Sequence, residues 1–310
     1  MNIWAVCTYF NFTKCKYRLK NYQIFKKNIK DHDIKLLCVE FSPNGDFVLE
    51  DNDADVLIRL GGGDIMWQKE RMLNIGIDML PQNTDIVIIA DTDIIFSSKN
   101  LVPFLQYEMS RYHAVQCFST VSHFKPFVDI DLMNADFSSI NITDDNIFML
   151  DRQPGCMFAY ETVANFQQGV SGYAWAFRYK TIKDIKLFEY NIIGGGDRIT
   201  ASAFMGLPVA SPFVAGIISN IYFNYLKKIK DYGLTRNDIS FIDQVYIYDL
   251  FHGFHKNRDY ENRHKILKKH NFDAEKDLIG IPEQPFRFAD HVNNDLKLEI
   301  INYFYSRNGF

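Results

Sequence analysis

The sequence predicts an α/β protein: a mixed, mostly parallel sheet flanked by helices, in a single domain. Three observations lead there. Short apolar runs rich in β-branched residues, such as Ile86 to Ala90, suit strands buried on both faces. Longer segments between them carry apolar residues at helical spacing. The order strand, helix, strand, helix, strand is that of parallel α/β units, whose ligands sit beyond the carboxyl ends of the strands.

Residues Asn2 to Tyr9 read as a buried, central first strand. From Lys14 to Lys30 a helix is expected, with Leu19, Tyr22, Phe25 and Ile29 on its apolar face. Its other face carries Lys14, Lys16, Arg18, Lys20, Lys26, Lys27 and Lys30. That face is expected in solvent, the alternative being a patch for an anionic acceptor or membrane surface. Ile34 to Phe41 is a second strand, closed by the turn Ser42-Pro43-Asn44-Gly45. Asp55 to Leu60 is a short strand before three glycines, and Met66 to Leu80 is a helix stopped by Pro81.

After the run Ile86 to Ala90 come a helix from Leu101 to Ser110 and a strand from Ala114 to Ser119. Residues 129–154, rich in Asp, Asn and Ser, are expected to form a loop or insertion, a lid or acceptor loop. Tyr173 to Tyr179 reads as a strand and the segment to Leu187 as a helix. Ile192 to Asp197 leads into a helix ending near Met205, and Ala215 to Lys230 is helical. Phe241 to Phe251 is apolar and aromatic, and helices from Glu261 to His270 and Asn294 to Arg307 close the chain. No repeat, low-complexity tract or interdomain linker is visible.

The totals exclude several classes. The chain has 310 residues, 47% of them apolar, enough for a large core. A net charge of −4 gives no generally basic surface for nucleic acid. Cys7, Cys15, Cys38, Cys117 and Cys156 are odd in number and scattered, which argues against a disulfide framework or zinc ribbon and for a reducing compartment. There is no basic leader and no apolar run near the roughly 20 residues of a membrane span, so a cytoplasmic location is expected.

Asp91 and Asp93 follow the central strand two residues apart, and in extended chain they would share one face. Two dry carboxylates repel, and a hard cation, Mg²⁺ or Mn²⁺, removes that cost. A strand end with a helix-capping Asp is the alternative. His252 is the candidate third ligand, with His255 in competition, and Gly253 allows close approach to a phosphate. Lys256 and Arg258 would face a diphosphate, unless this is only a surface turn. Gly194-Gly195-Gly196-Asp197 opens a helix, so Asp197 can be an N-cap, a base or both. Lys69, Glu70 and Asn74 fall near one helix face, either solvated or touching nucleotide and cation loop.

Together these residues resemble the metal-dependent nucleotide-sugar glycosyltransferases of the GT-A fold, galactosyltransferase-like and of an uncharacterised bacterial or phage type. The matching parts are Cys7-Thr8-Tyr9-Phe10, Asp91-Thr92-Asp93, Gly172-Tyr173-Ala174-Trp175-Ala176, Gly194-Gly195-Gly196-Asp197 and His252-Gly253, in the right order up to about Arg263. The resemblance implies a UDP-sugar donor and Mn²⁺ or Mg²⁺ on Asp91, Asp93 and His252. It implies donor contacts from Thr8, Tyr9, Phe10, Lys69, Asn74, Asp91, Gly195, Gly196, Lys256 and Arg258, and inverting transfer with Asp197 as base. Gly196 stands where galactosyltransferase-like members carry an acidic residue. The nucleotide-binding half would be 1–120, the acceptor half 121–265, and a helical extension 266–310. A cell-surface glycan or hydroxymethylated phage DNA would accept the sugar. A metal-dependent nucleotidyltransferase and a non-catalytic sugar-nucleotide-binding protein are the alternatives from other classes, and retaining transfer stays open.

Overall fold

A computed structural model describes residues 1–125, 132–133, 147–150, 169–206, 220–253, 255–260 and 262–307. In chain order its first half contains β1 (Ile3–Tyr9), α1 (Lys16–Asp31), β2 (Lys35–Ser42), β3 (Val56–Gly61), α2 (Lys69–Asp78), β4 (Ile86–Ala90), β5 (Ile94–Phe96), α3 (Leu101–Arg111), β6 (Ala114–Gln116), β7 (Thr120–Phe124) and β8 (Ile147–Leu150). Then follow β9 (Ala174–Arg178), α4 (Tyr179–Ile185), α5 (Gly196–Phe204), α6 (Asn220–Tyr232), β10 (Ile239–Phe241), β11 (Tyr246–Asp249), α7 (His264–Lys269), α8 (Ala274–Asp277), β12 (Leu278–Ile279), β13 (Arg287–Phe288) and α9 (Asn294–Ser306).

The apolar runs Ile3 to Cys7 of β1 and Ile86 to Ala90 of β4 place these strands inside a seven-stranded sheet of order β10-β6-β9-β4-β1-β2-β3. β1 lies parallel to both β2 and β4, while β9 alone runs against its neighbours β4 and β6. The architecture is the mostly parallel mixed sheet that the sequence predicted. Alternation along β1 sends Trp4 and Val6 into the core beneath α2, α4, α5 and α6. Ile3, Ala5, Cys7 and Tyr9 point instead to the core beneath α1 and α3. A second sheet, of order β5-β11-β7-β8, continues from the first. A third cluster is built from Met66, Ile192, Ile193, Leu267, Phe286 and Phe304.

Several boundaries differ from expectation for physical reasons. α2 begins at Lys69 because the Gln68 side chain is bonded to Asp64 and Phe286, holding the preceding chain out of the helix. On α1, Leu19 is exposed, whereas buried Asn28 exchanges hydrogen bonds with the Phe96 backbone. Lys26 of its basic face is committed to Asp53, 2.8 Å away. The strand expected to reach Ser119 ends at Gln116, where the chain leaves one sheet and enters the other as β7. The apolar stretch from Phe241 splits into β10 and β11, one in each sheet. Within the expected loop 129–154, residues 147–150 form β8, paired antiparallel with β7. Apart from 132–133, the rest of that stretch lies outside the described residues, as do 215–219 and Glu261. The expected helical extension also contains the β12–β13 pair. Among the described residues, no helix is long and apolar enough to cross a membrane.

Candidate active site

The strand order turns at β1, which has β2 on one side and β4 on the other. Beyond their carboxyl ends lies a cleft of about 150 Å³. Thr8 and Phe10 enter it from the end of β1, and Asp91, Thr92 and Asp93 from the end of β4. β9 runs the other way, so its start brings Tyr173 to the same edge.

Asp93 and His252 meet there, with Asp249 at the end of β11 as the third member. One ligand atom from each of the three lies within 4.8 Å of the others. The main chain sets this up, because Leu250 N donates to the Asp93 carbonyl at 2.7 Å. His252 Nδ1 lies 3.2 Å from Asp93 Oδ2 and 3.9 Å from Asp249 Oδ1. It also meets the Leu250 carbonyl at 2.9 Å, while an Arg258 N–H donates to its Nε2. Burial, and then the Arg258 charge, push the imidazole pKa down to about 3, so the ring is neutral, and a nitrogen would ligate an ion by exchanging its present hydrogen bond for it. Burial and the Asp249 charge push Asp93 up to about 6. Burial opposes ionisation of Asp249, but the His123 hydrogen bond and nearby cations hold it below its ordinary value.

Asp249 Oδ2 accepts from His123 at 2.6 Å and from the Tyr173 hydroxyl at 3.3 Å. Oδ1 is buried without a hydrogen-bond partner. Such an orphan beside a second carboxylate is costly in isolation, and a divalent cation would satisfy it. The donor set of two carboxylates and one neutral imidazole suits Mn²⁺ or Mg²⁺.

The group whose ligand atoms converge contains Asp93 and His252 of the expected set, with Asp249 in place of Asp91. Asp91 lines the cleft, but its Oδ1 is paired with Lys69 at the first turn of α2. The two aspartates do not lie on one continuous strand, because the chain turns between β4 and β5. Burial opposes the Lys69 charge, yet Asp91, Glu70 and Asp197 outweigh it and raise its pKa.

Across the cleft, α5 starts at Gly196, with Gly194 and Gly195 at φ of +94° and +96°. A side chain is strained there, and the bare backbone lets the Arg263 guanidinium pack against both residues. Asp197 faces the cleft in the first turn of α5, and Ser171 Oγ donates to its Oδ2 at 2.9 Å. The N-cap position belongs to Gly195, so Asp197 is not the cap. Glu70 lies beside it, with Trp67 Nε1 donating to its Oε2 at 2.8 Å. Burial, opposed by Lys69 and reinforced by Asp197, pushes Glu70 up to about 7.

Sequence reasoning missed Asp249 and three arginines. Arg18, Arg263 and Arg307 join Arg258 in the cleft. Among the described residues none of the four is paired with a carboxylate. Arg258 donates to the Tyr260 hydroxyl at 2.8 Å and Arg263 to the Tyr303 hydroxyl at 3.3 Å. Arg307 packs on Trp67, with 5.2 Å from its guanidinium to the ring centre, and Arg18 on Phe10 at 5.4 Å. Burial, together with the charges of Arg258, Arg18 and Arg263, lowers the Arg307 pKa to about 10. Arginines clustered in this way have the charge and the donors to hold an anion.

Other expected donor contacts lie elsewhere. Tyr9 points to the opposite face of β1 and packs edge-on against Tyr22, 5.4 Å between ring centres. Asn74 is bound to the Leu187 backbone and to Glu189, away from the cleft. Gly195 lines the cleft, while Gly196 is buried against Glu70 and the Phe188 carbonyl. The side chains of His255 and Lys256 lie outside the described residues.

No protein-family model and no curated protein matches the chain. Among solved structures it is similar to 4-diphosphocytidyl-2C-methyl-D-erythritol synthase from Anaerococcus prevotii, with TM-score 0.37, 12% identity, and 84% of this chain and 96% of that one covered. The catalytic domain of Drosophila β1,4-galactosyltransferase 7 in complex with xylobiose gives TM-score 0.37 and 9% identity, over 79% of this chain and 66% of that one. A mycobacterial protein gives TM-score 0.42 and 11% identity, over 93% and 82%. Likenesses this distant carry no argument about activity.

Proposed function

We propose that the chain is a GT-A glycosyltransferase that transfers a sugar from a UDP-sugar to an acceptor hydroxyl, with Mn²⁺ or Mg²⁺ required. The observation that carries this reading is the orphaned, buried Asp249 Oδ1 facing Asp93 and His252, beside an arginine cluster at the strand ends. Asp93, Asp249 and His252 would hold the cation. When bound, it would stabilise the charge that develops on the leaving diphosphate.

Arg18, Arg258, Arg263 and Arg307 bind the diphosphate oxygens and exclude water from them. Lys69 fixes Asp91 at the mouth of the site. Ser171 orients the Asp197 carboxylate, which takes the proton from the acceptor hydroxyl as that oxygen attacks the anomeric carbon. Attack opposite the departing diphosphate breaks the sugar–phosphate bond and inverts the anomeric configuration, and UDP leaves. A cell-surface glycan is the acceptor class.

The test is UDP release from a panel of UDP-sugars with Mn²⁺, with EDTA and Asp93→Ala as controls. One donor should be consumed in a metal-dependent way, and both controls should abolish it. Asp197→Asn should lower kcat by roughly 10²–10⁴-fold, the usual contribution of a general base. Pyrophosphate released from a nucleoside triphosphate, with no UDP from any donor, would make the chain a nucleotidyltransferase instead.

A further inference from the structure

Gly196 is buried directly against Glu70, one residue from the cleft-lining Gly195 and Asp197. A Cβ built there would lie 2.7 Å from Glu70 Cδ and 2.9 Å from Glu70 Cγ. The Glu70 side chain, arriving from α2, thus occupies the space where a side chain on α5 would begin. It stands beside Asp197, and both line the cleft together with a small cavity of about 40 Å³ below it. Each carboxyl has one oxygen fixed by a protein donor, Trp67 Nε1 for Glu70 and Ser171 Oγ for Asp197. Each retains further acceptor capacity.

The cation and anion sites leave Glu70 unused, since Asp91 engages the neighbouring Lys69. A carboxyl only 4% exposed is expensive to keep, and two adjacent ones are more so. Paired carboxyls of this kind accept from neighbouring hydroxyls, whereas a phosphodiester would meet like charge.

We propose that Glu70 and Asp197 together form the acceptor subsite, and that the acceptor is a neutral sugar presenting two neighbouring hydroxyls. The inference rests on the glycosyl-transfer reading: Asp197 takes the proton of one hydroxyl while Glu70 holds the other.

Binding can be read without turnover, by saturation-transfer NMR in the presence of UDP and Mn²⁺. The probes are the methyl glycosides of glucose, galactose, N-acetylglucosamine and xylose, with their monodeoxy analogues and a hydroxymethylcytosine oligonucleotide. At least one glycoside should bind, and Glu70→Gln should weaken it tenfold or more while UDP affinity stays within twofold. One deoxy analogue should bind the wild type tenfold more weakly than its parent yet bind Glu70→Gln equally, a coupling that a merely structural role would not produce. Binding of no glycoside, binding of the oligonucleotide alone, or equal weakening of UDP and glycoside would overturn the proposal. Failure of the donor reading shows separately, as absent UDP release from every UDP-sugar.

Discussion

Replacing Asp249 by Asn tests the cation centre without any substrate. The donor atoms of Asp93, Asp249 and His252 lie within 4.8 Å of one another, and at an effective dielectric constant of about 20 two unit charges at that separation repel by roughly 3 kcal/mol. The amide removes the repulsion. It also weakens the 2.6 Å hydrogen bond from His123, and charged hydrogen bonds contribute about 1.5–3 kcal/mol. The metal-free variant should therefore melt close to the wild type. Adding Mn²⁺ separates them: at 100 times its Kd an ion stabilises the native state by about 2.7 kcal/mol. With an unfolding entropy of about 2.1 cal/mol/K per residue, 310 residues turn that into a rise of about 4 °C in Tm. The assay is a thermal melt at pH 7.5 with and without Mn²⁺. Equal shifts in the two proteins, or no shift in the wild type, would refute the assignment of Asp249 as a ligand.

Other consequences are equally direct. Burial and the Asp197 charge, opposed by Lys69, raise Glu70 from 4.5 to about 7, so the native state holds a proton that the unfolded chain releases in that window. The stability from this group is complete below pH 4.5 and declines by up to roughly 3 kcal/mol as pH rises through 7; urea melts at pH 5 and 8 should show the slope, and Glu70→Gln should flatten it. Gly196→Ala puts a methyl 2.8 Å from the Phe188 carbonyl oxygen as well as against Glu70, and should cost about 1–3 kcal/mol in a denaturant titration; an unchanged midpoint would mean that the wall yields freely. Arg263→Lys loses the planar fork packed on Gly194 and Gly195, and should weaken UDP binding about tenfold by calorimetry. Unaltered affinity would remove Arg263 from the anion site.

The sheet and its helices were legible because β4 is apolar throughout, β1 and β2 are apolar over most of their length, and α1 carries Tyr22, Phe25 and Ile29 at helical spacing. Strand order was less visible, since it depends on β9 inserting antiparallel between β4 and β6. Asp249 closes a run that reads as core, and only the pairing of β11 with β5 and β7 brings its carboxylate to Asp93. Arg18 lies on a face that looked solvated, and Arg307 at the end of the last helix, so no local spacing joined them. The misplacement of Tyr9 had a signal, because alternation along β1 separates it from Thr8 and Phe10. Glu70 and Asn74 are one helical turn apart, yet the bend of the chain at Leu187 captured Asn74.

The cation site also says something about how the molecule comes together. Asp93 precedes β5, while Asp249 and His252 lie at the end of β11 and just after it, with about half the chain between them. Closing so long a loop costs entropy before any contact across it is gained. Partly folded chains therefore offer an ion only scattered carboxylates. An ion held by this triad would grip the finished protein without guiding its assembly, so it would act as a brake on unfolding and leave the refolding rate untouched. A chelator would shorten the life of the native state without delaying its birth.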